Sequence, residues 1–391
     1  MKYDFDKVVD RHGTNCLKYD FAIERGKPAD ILPLWVADMD FQTAPAILER
    51  LEETVKHGIF GYSDGKEGYF AAVQNWYRER FGWETKPEWL VKTPGVVFAL
   101  AAAVRAYTKE GDGVLLQQPV YYPFSEVITD NGRKIVNSPL KITDGYYTMD
   151  FDDLETKIVE NKVKLFLLCS PHNPVGRVWT RDEVERVVML CRKYSVWLFS
   201  DEIHGDVALY GNQYTSAACF ADVYDRMIVY TAISKTFNMA GLMFSDIIIR
   251  DTQLRKIFCK RDKIVGFVNP LSVVAHQAAY EKCDEWLAEF KTYLDENFIF
   301  VKEYLAEHLP AAVFSVPEAT YLAWVNLKGC LPDVVDLPGF FANNAGVLLE
   351  GGNDLFVGNA EGYVRLNLAM PRSIIKTGLE RMTEAIEKHN K

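Results

Sequence analysis

The chain has 391 residues, 49% of them apolar, with 44 basic residues against 54 acidic ones and a formal net charge of −10 at pH 7. That length can bury a large core and is expected to divide into two lobes. The negative balance opposes phosphate backbones and anionic lipid surfaces, so neither nucleic acid nor membrane is an expected partner.

Cys16, Cys169, Cys191, Cys219, Cys259, Cys283 and Cys330 are scattered without a CxxC pair, which suits a reducing cytoplasm better than a disulfide scaffold. Met1 to Asp10 is charged and has no signal-like apolar stretch, and no later run approaches the length of a membrane span. With no repeat or low-complexity tract, a cytoplasmic globular enzyme is expected.

In chain order, Thr93, Pro94, Gly95, Val96 and Val97 precede an Ala-rich helical stretch from Phe98 to Tyr107. Free backbone N–H groups and the positive helix end there can hold a phosphate, though one glycine before a helix is a weak signal. Gly113 to Gln117 reads as a strand that delivers Tyr121 and Tyr122 to a sheet rim. Val163 to Cys169 is an apolar run ending in Ser-Pro-His-Asn-Pro, and Thr180 then starts a helix with Val184, Val187, Val188 and Cys191 on one face. Val196 to Phe199 ends at Ser200, Asp201 and Glu202, and Met227 to Thr231 leads to Ser234 and Lys235.

These are successive β-α units of an α/β fold with a mostly parallel sheet. Loops at the carboxyl ends of such strands converge on a ligand crevice, and Asn173, Asp201 and Lys235 all fall at such ends. Past the large domain, expected over residues 43–282, Glu285 to Leu309 reads as a long amphipathic helix. Strand-like segments follow around Tyr321 to Leu327 and Tyr363 to Leu368, with a final helix from Arg372: a smaller α+β domain. No Gly/Ser/Pro-rich linker separates the two, so the boundary is expected inside a helix.

Taken singly, the candidate residues leave alternatives open. A lysine in a partly apolar cleft loses its proton through desolvation and can form an imine, but most lysines are solvated surface groups. Asp201 can keep a pyridine nitrogen protonated, and can equally cap a helix or bind a metal. Asn173, between Pro171 and Pro174, can donate to a phenolic oxygen or simply make a turn. Tyr121 can stack on a planar ring or fill core. Arg365 can grip a carboxylate through both guanidinium edges or sit in a surface ion pair.

Taken in order, these elements resemble the fold-type-I aminotransferase superfamily of pyridoxal-phosphate (PLP) enzymes, and within it the C–S lyase branch of cystathionine beta-lyases of the MalY/PatB type. The segments that carry the resemblance are Leu32 to Phe41 (LPLWVADMDF), Ser170 to Trp179 (SPHNPVGRVW), Ser200 to His204 (SDEIH) and Ser234 to Asn238 (SKTFN).

The resemblance implies a PLP-dependent transferase fold of type I with a seven-stranded sheet, and residues 1–42 packed with residues 283–391 as the small domain. It implies that Lys235 carries pyridoxal 5'-phosphate covalently, that Asp201 faces the ring nitrogen, and that Asn173 and His204 lie near the phenolic oxygen. Gly95, Val96, Val97 and Ser234 would cradle the phosphate, with Tyr121 and Ile203 on the two ring faces. Tyr62 would reach the neighbouring site of a homodimer. Arg365, Tyr121, Asn173 and Asp38 would meet an amino-acid substrate. No metal is implied.

One departure stands out: eight residues after the lysine, where transaminase relatives carry a phosphate-binding arginine, this chain has Met243. The implied activity is β-elimination of cysteine S-conjugates, with aminotransferase chemistry as the alternative enzyme and a regulatory protein retaining the fold as the alternative of another class.

Overall fold

The computed structural model describes residues 1–262, 268–356 and 358–391; residues 263–267 of the expected large domain lie outside the described residues. Its main sheet has seven strands: β1 (Leu90–Thr93), β2 (Gly113–Leu116), β3 (Lys134–Asn137), β4 (Leu165–Cys169), β5 (Trp197–Asp201), β6 (Met227–Thr231) and β7 (Ser245–Ile248). The spatial order is β1-β7-β6-β5-β4-β2-β3.

Every pairing is parallel except those of β7, which runs antiparallel to both β1 and β6. Strands β4 and β6 are buried throughout, as their unbroken apolar runs require when helices cover both faces. The helix after β4, Arg181–Tyr194, starts on a capping box in which the Thr180 hydroxyl accepts from Glu183 N–H and the Glu183 carboxylate accepts from Thr180 N–H.

The second sheet holds β8 (Val313–Phe314), β9 (Leu322–Asn326), β10 (Glu350–Gly351) and β11 (Tyr363–Asn367), in the order β8-β9-β11-β10. The register of β10 on β11 places Glu350 opposite Arg365, and β9 sets Trp324 opposite Arg365 on the other side. The N-terminal segment joins this part of the chain. Leu32–Pro33 pairs in parallel with Val347–Leu348, and Phe5 packs edge-on against Trp286 at 5.5 Å.

At the expected end of the large domain the chain changes helix. One helix ends at Lys282 and the next runs Asp284–His308, with Cys283 between them. The charges explain the break: Lys282 suits a helix C-terminus, and Asp284 and Glu285 suit the start of a new helix.

Candidate active site

A cavity of about 330 Å³ opens at the carboxyl ends of the parallel strands, and most of the residues singled out from sequence line it. Asn173, Asp201, Ile203 and His204 come from the ends of β4 and β5, Ser234 and Lys235 from the end of β6. Tyr121 enters from the loop after β2, and Gly95, Val96 and Val97 from the start of the helix Val96–Tyr107.

That helix start is built to receive an anion. Its N-cap is Gly95, which supplies no side-chain acceptor, so the first-turn N–H groups remain available. Gly95 has φ 158° and ψ 160°, a region essentially reserved for glycine, and a Cβ there would meet nothing within 4 Å. Among the described residues lining this cavity, Lys235 is the one lysine or arginine; Met243 stands at the wall, 63% exposed.

Lys235 donates from Nζ to the Ala37 carbonyl at 2.6 Å. Burial pushes its amine down to about 8, an effect the Asp38 and Asp201 carboxylates oppose and the Arg365 charge reinforces. Asp201, last residue of β5, is buried and accepts from Ile203 N–H at 3.2 Å. Burial drives its carboxyl up to about 7, a rise that the Ile203 N–H and the Lys235 charge oppose without cancelling. His204 is buried with its Nδ1 unpartnered, and burial pushes its imidazole down to about 3, which keeps it neutral.

Asn173 and Tyr121 are locked together, since Tyr121 N–H donates to the Asn173 carbonyl at 3.0 Å. The Asn173 side chain accepts from Arg365 Nη1 at 3.0 Å. Arg365, 1% exposed, also forms an ion pair with Glu350 and leaves its Nε unpartnered. Burial lowers its guanidinium to about 10.

Three expected residues do not line this cavity: Tyr62, Asp38 and Arg365, the last bonded to Asn173. Tyr62 is 95% exposed. Asp38 lines a second cavity of about 540 Å³ that Lys235 also borders, and its carboxylate pairs with Arg11 at 2.8 Å and Lys18 at 3.5 Å.

Several residues went unnoticed in the sequence: the Ala37 carbonyl, Tyr321, Glu350, and the pair Asn238 and Asn367. The side-chain amide of Asn238 donates to the Met39 and Phe41 carbonyls, each at 2.9 Å. That of Asn367 donates to the Val36 and Asp38 carbonyls at 2.7 and 2.5 Å. The segment carrying Ala37 is thus pinned from both sides. Asn238, in the same short motif as Lys235, was the one with a sequence signal.

A buried acid with no ion-pair partner in contact among the described residues, an uncapped helix start, a partly deprotonated amine and an orphaned imidazole nitrogen around one cavity fit a flat heteroaromatic ring bearing a phosphate and an aldehyde. Residues 29–382 match the family described as Aminotransferase class I and II. The chain is 40% identical to cystathionine beta-lyase PatB of Bacillus subtilis (strain 168), over 98% of this chain and 100% of that protein. It is 34% identical to protein MalY of Escherichia coli (strain K12), over 98% and 99% of the two chains. The PLP-bound C-S lyase from Staphylococcus hominis superposes with a TM-score of 0.94 at 39% identity, covering 99% of this chain and 98% of that one. The chain belongs to the class I and II aminotransferase family, and its fold is the type I fold of PLP-dependent enzymes.

Proposed function

We propose that this chain is a PLP-dependent carbon–sulfur β-lyase that converts cystathionine or related cysteine S-conjugates, with water, to pyruvate, ammonia and a thiol. The observation that carries this reading is the half-buried Lys235 lining one cavity with Asp201, on a chain similar over 98% of its length to a cystathionine beta-lyase.

Lys235 would hold the cofactor, Asp201 its ring nitrogen, Asn173 and His204 its phenolic oxygen, and Gly95, Val96, Val97 and Ser234 its phosphate, with Tyr121 and Ile203 on the ring faces. When bound, PLP supplies an electron sink for charge developing on the substrate Cα. Arg365, held by Asn173, binds the substrate α-carboxylate and turns the Cα–H bond toward Lys235. The Lys235 amine accepts the Cα proton as general base. The bond from Cβ to sulfur then breaks, the thiolate leaves with the electron pair, and hydrolysis of the remaining enamine yields pyruvate and ammonia. Asp38 would meet the substrate side chain from the second cavity.

The same base also supports amino-group transfer. Met243, where an arginine would anchor the phosphate through repeated exchange of half-reactions, favours elimination. A regulatory protein retaining the fold would not need the amine and acid aligned.

We infer further that residues 43–282 form the large domain and residues 1–42 with 283–391 the small one, that the enzyme is cytoplasmic, and that it works as a homodimer with Tyr62 reaching the partner's site. The free state of the seven cysteines and the exposure of Ile59, Phe60 and Tyr62 support the last two readings. No helix among the described residues is long and apolar enough to cross a membrane.

Purified protein given L-cystathionine without any keto acid should release pyruvate and thiol in equal amounts, and Lys235→Ala should release neither. Dependence on an added keto acid would replace the lyase reading with the transaminase one.

A further inference from the structure

The carbonyl oxygen of Ala37 receives two donors, the Lys235 amine at 2.6 Å and the Tyr321 hydroxyl at 3.0 Å. We propose that Tyr321 is a positioning residue for Lys235, its hydroxyl competing with the amine for this one acceptor and so holding more of the amine in its neutral, proton-accepting form. The inference deepens the reading of Lys235 as the base and rests on it.

A carbonyl oxygen has two lone pairs, and an ammonium gains most from an acceptor whose negative charge is not already answered. The hydroxyl turns the positive end of its dipole to the same oxygen. It therefore takes up part of the acceptor and adds a partial positive charge beside the amine, and both effects disfavour the ammonium.

The arrangement has little freedom to drift. Tyr321 is fully buried immediately before β9, and its ring meets that of His204 edge-on at 6.0 Å. The peptide groups flanking Ala37 are bonded to Asn367, and Met39 to Asn238.

The other groups that act on Lys235 come from three parts of the chain. The Asp38 and Asp201 carboxylates favour its charged form and the Arg365 guanidinium disfavours it, while neutral His204 and Tyr121 line the same cavity. All of them persist when only the Tyr321 hydroxyl is removed.

Tyr321→Phe keeps the ring and deletes the donor. In the full chain freed of cofactor, competitive acetylation read by peptide mass spectrometry gives the titration midpoint of Lys235 itself. That midpoint should rise by about half a unit, and the acidic limb of kcat of the loaded enzyme, which reports the substrate complex in which the amine acts as base, should move the same way. An unchanged or lowered midpoint overturns the proposal, even if stability or KM changes as a purely structural role would require. Should Tyr321→Phe not fold, 3-fluorotyrosine placed at position 321 alone preserves the shape. As a stronger donor it must lower the midpoint, and an unchanged or raised value overturns the proposal. The labelling needs no turnover, so a chain without lyase activity still reports whether Tyr321 tunes Lys235.

Discussion

Arg365 and Asn173, 192 residues apart in the chain, meet in a hydrogen bond from Nη1 to Oδ1 at 3.0 Å. The strand that would bind the substrate carboxylate is thereby tied to the loop that would bind the ring oxygen. Hydrogen bonds to charged groups contribute about 1.5–3 kcal/mol, so Asn173→Ala should lower kcat/KM by roughly 10- to 100-fold. Much of that loss should appear as a higher KM for substrates with a free α-carboxylate. Steady-state kinetics on L-cystathionine and on its α-amide distinguishes the cause: a loss of the same size on the amide would mean that Asn173 does not act through Arg365.

Much of this site was legible because each piece sits where an apolar run stops. Asp201 closes β5, and Lys235 follows β6 by four residues. What could not be read depends on pairing between distant strands or on backbone atoms. Glu350 meets Arg365 through the register of two strands in the second sheet, which no local pattern announces. The Ala37 carbonyl has no side-chain signature at all. The reversed direction of β7 was hidden for a related reason: a short buried strand has the same composition whichever way it runs.

Asp201 links the site to stability. Its carboxyl is raised to about 7 by burial, against an ordinary value near 4 in the unfolded chain. An acid raised in this way binds its proton more tightly when folded, so its contribution is fully present below the unfolded value and is lost as pH rises through the folded one. The loss amounts to about 4 kcal/mol by mildly alkaline pH. Asp201→Asn cannot ionise. In cofactor-free protein its Tm should match wild type under acidic conditions and exceed it by several degrees in mildly alkaline buffer. A Tm difference independent of pH in thermal melts would contradict this, whereas the same variant should bind PLP more weakly.

Met243 offers a gain-of-function test. It lines the same cavity as Ser234 and Gly95, and most of its surface is open, so a longer cationic side chain has room. Met243→Arg should pair with the phosphate and tighten PLP binding by about tenfold, or roughly 1.4 kcal/mol. Titration of apoenzyme followed by absorbance measures it. Unchanged affinity would mean that the helix start and Ser234 already satisfy the phosphate.

Asn367 follows Arg365 by two residues on β11, so both side chains lie on one face of the strand. Its amide satisfies the Val36 and Asp38 carbonyls on either side of Ala37, and its Oδ1 accepts from Ala369 N–H at 2.9 Å. Asn367→Ala leaves these backbone groups without that partner, at about 1–3 kcal/mol for each one that stays buried. The segment from Val36 to Phe41 should then loosen, and with it the carbonyl that holds Lys235. Limited proteolysis should cut this segment faster than in wild type, and kcat should fall more than PLP affinity, because Asp201 and the helix start are untouched. Equal protection of the segment in both proteins would show that Asn238 alone is enough to hold it.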